Sequence, residues 1–358
     1  MSSRPAHSIG IRSDKNRAGN RARWWFVPAL LTSIAVSTIA VACNIPVFRY
    51  ALERWTPDIC EILIFTSDPL NAEDETFVRN LERQSITASG PANSRVVRAE
   101  LSSLTPDLKD VWQSLQQTPN LKPPYVVIRS RHGKERIVNH WSGPLKETTS
   151  VPILKSPIRK QLAQRLQKGD SVVWLVLKPA QVDAKDSAAT AACLKLLKEQ
   201  CAALPAQLEL PEGIGLQGSE LYSEVPLLLQ FSVLELDRAD PKEQYLVRQL
   251  AGFQKQAFDA GEPLVVPVFG RGRALEVIPA SQLNADLIHD LTQFLCGACS
   301  CQVKEQNPGF DLLISTSWNT ILFGEDAELP PPPPAQGTGR TEKPTLLPIP
   351  PGRQSPRK

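Results

Sequence analysis

The sequence predicts an α/β protein of two tandem units, each a central mixed sheet flanked by helices, set between an apolar leading segment and a proline-rich tail. Three observations carry that expectation. Between residues 60 and 301 the order strand-helix-strand-helix-strand-strand-helix is legible twice in succession. Residues 24–42, WWFVPALLTSIAVSTIAVA, contain no charge. Residues 325–358 contain PPPPP and little that is apolar, although the whole chain has the charge content of a globular protein. The expected division is 1–23 basic, 24–42 apolar, 43–59 amphipathic, 60–169 first unit, 170–301 second unit, 302–324 extension and 325–358 tail.

In the first unit CEILIFT (60–66) is an apolar run of strand length. Phe77, Val78 and Leu81 recur at helical spacing and predict a helix over 73–83. SRVVRAEL (94–101) is a second strand. Thr105-Pro106 supplies an N-cap and a first-turn proline for a helix carrying Leu108, Val111, Trp112 and Leu115. PPYVVIRSRHGKERIVNHW (123–141) reads as strand, turn at His132-Gly133, and strand. Ser156-Pro157 opens a last helix with Ile158, Leu162 and Leu166 on one face, and Gly169 stops it.

The second unit repeats the order. SVVWLVLK (171–178) is a buried strand, and residues 184–203 form a helix rich in alanine, leucine and lysine. PLLLQFSVLELD (226–237) is a strand, and Asp240-Pro241 opens a helix ending near Gly252. PLVVPVFGRGRALEVIP (263–279) is a hairpin turning at Gly270-Arg271-Gly272. Asn284 starts the final helix, with Leu287, Leu291 and Leu295 spaced every four.

This order resembles that of thioredoxin-like domains. The resemblance implies a cis-proline before the third strand, at Pro124 in the first unit and at Pro267 or Pro263 in the second. It also implies a place for a Cys-x-x-Cys pair just after the first strand, where a helix N-terminus lowers a thiol's pKa. Those places read Thr66-Ser67-Asp68-Pro69 and Lys178-Pro179-Ala180-Gln181, without cysteine. Both units are therefore expected to be degenerate, and enzyme activity of the ordinary thioredoxin kind is not expected.

Three of seven cysteines fall in CGACSC, residues 296–301, after the last helix. A helix C-terminus raises a thiol's pKa, which disfavours dithiol exchange. Cys-x-x-Cys and Cys-x-Cys each let two sulfurs reach one ion. Zinc takes four ligands and copper(I) accepts two or three, but no second cysteine pair or His-x-x-x-His completes a zinc site. Cys296, Cys299 and Cys301 thus stand as candidates for a structural disulfide among themselves or to Cys60, for a redox pair, or for a metal site. No cofactor is required by the sequence. Cys193 and Cys201 lie eight residues apart on one helix, ~12 Å, too far to bond, and read as small core residues. GIGLQG (213–218) lacks the flanking strand and helix of a dinucleotide fingerprint and reads as a loop. His132, His140, Arg271 and Arg273 are expected on solvated turns, with an anion site at the two arginines as the alternative.

Residues 1–23 hold six basic side chains against Asp14, a net +5, which leaves −2 for the rest of a chain of net +3. That excludes a basic nucleic-acid-binding body. A basic start followed by an apolar run is the pattern of an export signal, ending in Ala40-Val41-Ala42 and Cys43. Three fates stay open: cleavage, acylation of Cys43 in a lipobox-like context, or retention as a membrane anchor through residues 24–42. In each case the positive-inside rule puts the body outside the cytoplasm, where disulfides are permitted. The tail reads as a disordered spacer.

CNIPVFRYALERWTPD (43–58), PVFGRGRAL (267–275) and CSCQVKEQNPG (299–309) resemble segments of a family of exported bacterial proteins. The resemblance implies an envelope location and a shared cysteine cluster, and supplies no catalytic residues. The segment 43–59 is expected either to pack beneath the first unit or to lie at the membrane interface. The function these readings favour is a non-catalytic binding or scaffold protein with a protein partner in the envelope. The alternative is thiol-disulfide exchange or copper or zinc handling through Cys296, Cys299 and Cys301.

Overall fold

In a computed structural model that describes residues 44–132, 136–179, 184–299 and 303–325, the apolar runs become the central strands of two mixed sheets. The first helix, α1 (Val47–Arg54), precedes them. The first sheet holds β1 (Cys60–Thr66), β2 (Ser94–Glu100), β3 (Tyr125–His132) and β4 (Arg136–Pro144), in the order β2-β1-β3-β4. β1 and β2 run parallel, and β3 is antiparallel to both of its neighbours. Side chains alternate across the pleat. Ile62 and Ile64 of β1 therefore meet Val78 and Leu81 of α2 (Ala72–Gln84) on one face. Leu63 and Phe65 meet Leu108 of α3 (Pro106–Ser114) on the other, where Trp112 lies 5.0 Å from the Phe65 ring. α2 starts where the Asn71 side chain accepts from the Asp74 N–H. Two further helices, α4 (Leu145–Ser150) and α5 (Pro157–Gln167), follow.

The second sheet is built on β5 (Val172–Lys178), reached before α6 (Ala184–Ala203), and on β6 (Phe231–Asp237). α7 (Gln244–Ala251) and α8 (Lys255–Asp259) lead to β7 (Leu264–Phe269), β8 (Arg273–Ala274), β9 (Ile278–Pro279) and α9 (Ala285–Cys296). β10 (Phe310–Asp311) and α10 (Trp318–Phe323) complete the described chain. Strand order is β10-β8-β7-β5-β6, with β9 also on β7; β5 and β6 are parallel and the other pairs antiparallel.

Four placements differ from the expectation. Helix α5, read as the end of the first unit, packs Leu162, Ala163 and Leu166 among Val173, Leu175 and Leu177 of β5. Tyr245 of α7 does the converse and enters the core of the first sheet. A cut at residue 169 therefore divides a shared core, and the described residues belong to one compact unit. The extension 302–324 supplies a strand, β10, to the second sheet. Helix α1 packs neither beneath the first sheet nor at a bilayer: seven of its eight residues are buried, against β7 and α9 of the second sheet. Its charged face is not solvated because Arg49 and Glu53 are consumed inside the protein, as described below.

Among the described residues one peptide bond is cis, Pro123–Pro124, directly before β3. The cis-proline expected at Pro267 or Pro263 is not there. Pro267 sits within β7 opposite Trp174, and its carbonyl accepts from the Leu275 N–H at 2.9 Å. Its missing donor falls on the same side, where the partner strand is interrupted between β8 and β9. Residues 24–42, Cys43, Gly133, Cys301 and nearly all of the tail lie outside the described residues. Among the described residues, no helix is long and apolar enough to cross a membrane.

Candidate functional site

The first place to inspect is the turn after β1. Phe65 faces Tyr125, so the register carries Thr66 alongside Pro124. The Thr66 carbonyl accepts from the Leu101 N–H at 2.9 Å. Ser67, Asp68 and Pro69 are exposed, and the Ser67 hydroxyl donates to the Asp68 carboxylate at 2.7 Å. The turn thus offers a hydroxyl tied to a carboxylate and no thiol. In the second unit Lys178 pairs with Glu235 at 3.2 Å, while Ala180 and Gln181 lie outside the described residues.

Cys296 and Cys299, the two described members of the cysteine cluster, are core residues. Residues 45–47 run antiparallel to 297–299, with Pro46 opposite Ala298. The Val47 N–H donates to the Gly297 carbonyl at 3.0 Å and the Cys299 N–H to the Ile45 carbonyl at 2.9 Å. Cys296 and Cys299 are buried there beside Ile45, Val47 and Leu295. Cys296 is a free thiol, so it forms no disulfide with Cys299 or Cys60. Removal from water pushes its pKa up to about 12, which keeps it protonated. Cys60 lies in the other core, 3.4 Å from the Tyr245 hydroxyl, with burial pushing its thiol up to about 11. Cys193 and Cys201 are small core residues, as their helical spacing implied. Among the described residues, no group of three or more His, Cys, Asp or Glu is arranged to hold a metal ion.

What the sequence reading missed is that the three motif segments meet. Asp58, Arg273, Lys304 and Asp311 form one network, in which Asp58 is half-buried and the other three are buried. Lys304 Nζ lies 2.9 Å from Asp58 Oδ1, 2.5 Å from Asp311 Oδ2 and 2.7 Å from the Thr56 carbonyl it donates to. The Asp58 N–H donates to Asp311 Oδ2 at 2.6 Å, and Arg273 Nη1 to Asp311 Oδ1 at 3.3 Å. Arg273 also donates to the carbonyls of Asn307, Pro308 and Gly309. Burial alone would raise the Asp311 pKa, but the cations Lys304 and Arg273 hold it below its ordinary value. Asp58 moves the other way, raised by desolvation and by the neighbouring Asp311 charge.

Two glycines allow this approach. Gly309 has φ +107°, and a Cβ there would run into the Ala274 carbonyl; Gly272 has φ +93°, and a Cβ there would meet Ile314. Arg271 donates to the carbonyls of Leu52 and Glu53, the open end of α1, at 2.7 and 2.9 Å. Arg273 is buried and Arg271 half-buried rather than on a solvated turn, and each guanidinium donates to groups of the protein.

Helix α1 is held in the same manner. Arg49 Nε lies 2.8 Å from Glu53 Oε1, and the guanidinium donates to the carbonyls of Ser223 and Val225. Glu53 accepts in return from the Tyr222 and Ser223 N–H groups, both at 3.1 Å. GIGLQG remains a loop that leads into this strap. The hydrogen bonds and ion pairs in these networks join one part of the chain to another, and so fasten its segments together.

A last polar group lies where the two sheets touch. His140 is 8% exposed rather than solvated, and its Nε2 is 2.7 Å from the Ser130 hydroxyl. Its ring lies 5.9 Å from that of Phe253, which stacks on Phe310 at 4.1 Å. His132 is half-buried against the same two phenylalanines, at 4.9 and 5.6 Å. The position of these residues on one hairpin was visible in the sequence, but the helix and strand that cover them were not.

No family model matches the chain, and no curated protein matches it. Among solved structures it is similar to the first two thioredoxin domains of Naumovozyma dairenensis Eps1p, at 12% identity over 66% of this chain and 90% of that one. The TM-score is 0.23, at which the likeness carries no argument about fold or activity.

Proposed function

We propose that the chain is a non-catalytic binding or scaffold protein of the bacterial envelope, formed by two degenerate thioredoxin-like units and tethered to the membrane through residues 24–42. The observation that carries this reading is the turn Thr66–Pro69, which occupies the place of a catalytic pair beside Pro124 and contains no thiol. The buried, protonated Cys296 supports it, since a thiol rather than a thiolate is a poor nucleophile and a poor metal ligand. The basic leading segment and the uncharged run after it support the tether and the envelope location, and the motif resemblance to exported bacterial proteins agrees.

The test pairs two assays on the full chain. Insulin reduction is expected to stay at background for wild type and for the Cys296→Ser, Cys299→Ser, Cys301→Ser triple variant. Cross-linking in envelopes is expected to yield the same protein partner from both. Activity in the first assay that the triple variant loses would replace this reading with thiol exchange through the cluster.

A further inference from the structure

We propose that the ring cluster of His132, His140, Phe253 and Phe310 is an acid-sensitive seam, at which protonation of the two histidines parts β3 and β4 from α7 and β10. The geometry is that of a junction: His132 ends β3, His140 lies in β4, Phe253 follows α7, and Phe310 opens β10. The first sheet thus touches the second-sheet elements through the faces of these rings.

A proton has nowhere to go in this cluster without cost. His140 Nδ1 is buried and has no hydrogen-bond partner among the described residues, and Nε2 is already on Ser130. A cationic ring would carry a further N–H at Nδ1, which no hydrogen bond among the described residues receives. Among the described residues, the charged groups that act on the pair are basic. They are Arg136 at the start of β4 and Arg273 on β8, beside the neutral Ser130 on β3; on α7, Arg248 lies over the Trp141 ring and Gln249 is buried. Asp311 of β10, next to Phe310, is turned instead to Lys304 and Arg273. Desolvation, with His132 adding to it, pushes the His140 pKa down to about 4, and burial with Arg136 and Arg273 lowers that of His132.

The sign follows from linkage. An imidazole that protonates near 6.5 when unfolded and near 4 when folded contributes fully above 6.5. The closed-to-open equilibrium constant then falls by a factor of about ten per pH unit between about 6 and 4. If this seam opens locally, the loss is read at the seam before the rest of the fold.

Hydrogen exchange of the full chain between pH 7.5 and 4.5, corrected for intrinsic rates, tests this. In wild type the protection of β4 and α7 amides is expected to fall about tenfold per pH unit below 6, while β5 and β7 hold theirs. His140→Gln, which keeps a partner for Ser130 without the charge, is expected to flatten that slope, and Ser130→Ala to leave it in place. Parallel loss in β4 and β5, or an unchanged slope in His140→Gln, overturns the seam. Should that variant fail to fold, the wild-type His140 ring followed by NMR decides: protonation near pH 6.5 without loss of β4 protection overturns it equally.

Discussion

The two sheets begin alike and are finished differently. Each has a largely buried first strand, β1 or β5, with a parallel neighbour on one side and an antiparallel one on the other. The first sheet is then closed by its own hairpin, and one face of its core draws only on residues between Leu63 and Val127. In the second sheet β8 and β9 are two residues each, so the hairpin cannot cover β7 alone. One face of its core runs from Ile45 to Cys299 and the other from Leu52 to Leu322. A shared element order therefore does not imply a shared way of completing a core. The second sheet is finished by chain arriving from both of its ends, and it is there that the Arg49–Glu53 and Arg273–Lys304–Asp311 networks are found. Burial of a charge is tolerated when the partner and hydrogen bonds arrive with it, and here they arrive from opposite ends of the sequence.

The comparison breaks most directly at Arg273. Arg273→Leu leaves Asp311 and the Asn307–Gly309 carbonyls short of a partner, and is expected to cost about 4 kcal/mol in urea unfolding. Hydrogen exchange should place the loss in β7, β8 and β10; equal loss in β1 and β3 would show that the two sheets unfold as one. The same variant reports on pH. Asp311 is held below its ordinary pKa, so its contribution is present above the carboxylate range and lost as pH falls through the folded value. Asp58, raised, works with the opposite sign, and Arg273→Leu should weaken the acid-side loss.

Next in size is Phe310→Ala, which removes a fully buried ring from a two-residue strand and should cost about 3 kcal/mol. A smaller cost would mean that β10 covers the sheet through its backbone alone. At the cysteine cluster Cys296→Ser buries a hydroxyl without a partner and should cost about 2 kcal/mol, against about 1 for Cys296→Ala. A larger effect of alanine would point to a role for sulfur beyond packing. The smallest effects compare the caps. Asn71→Ala and Asn284→Ala each remove a side chain that accepts from the third helical N–H, and each should cost about 1 kcal/mol. Unequal costs would show which half folds with the greater local contribution.

Local chemistry was legible. The strand of 60–66, the caps at Asn284 and Ser156, the turn at Gly270–Gly272 and the core placement of Cys193 and Cys201 all follow from spacing and residue type. The candidate site was legible only in part. The lack of a thiol after β1 is a statement about sequence. The burial of Cys296 is not, because it depends on residues 45–47 arriving alongside 297–299. Arg271 and Arg273 looked like a solvated turn because a glycine-flanked arginine gives no sign that a helix end and a distant loop will meet it.

The sequence by itself determined the two runs of strands and helices, the uncharged segment before them and the missing cysteine pair, since periodicity, charge and residue identity act over a few positions. Tertiary structure decided which core each helix serves. It put α5 on the second sheet and Tyr245 in the first, turned an amphipathic helix inward, and set Asp58 against Asp311 across the whole fold. Those outcomes rest on which buried charge finds its partner, and a partner some 250 positions away leaves no mark on the residues around it.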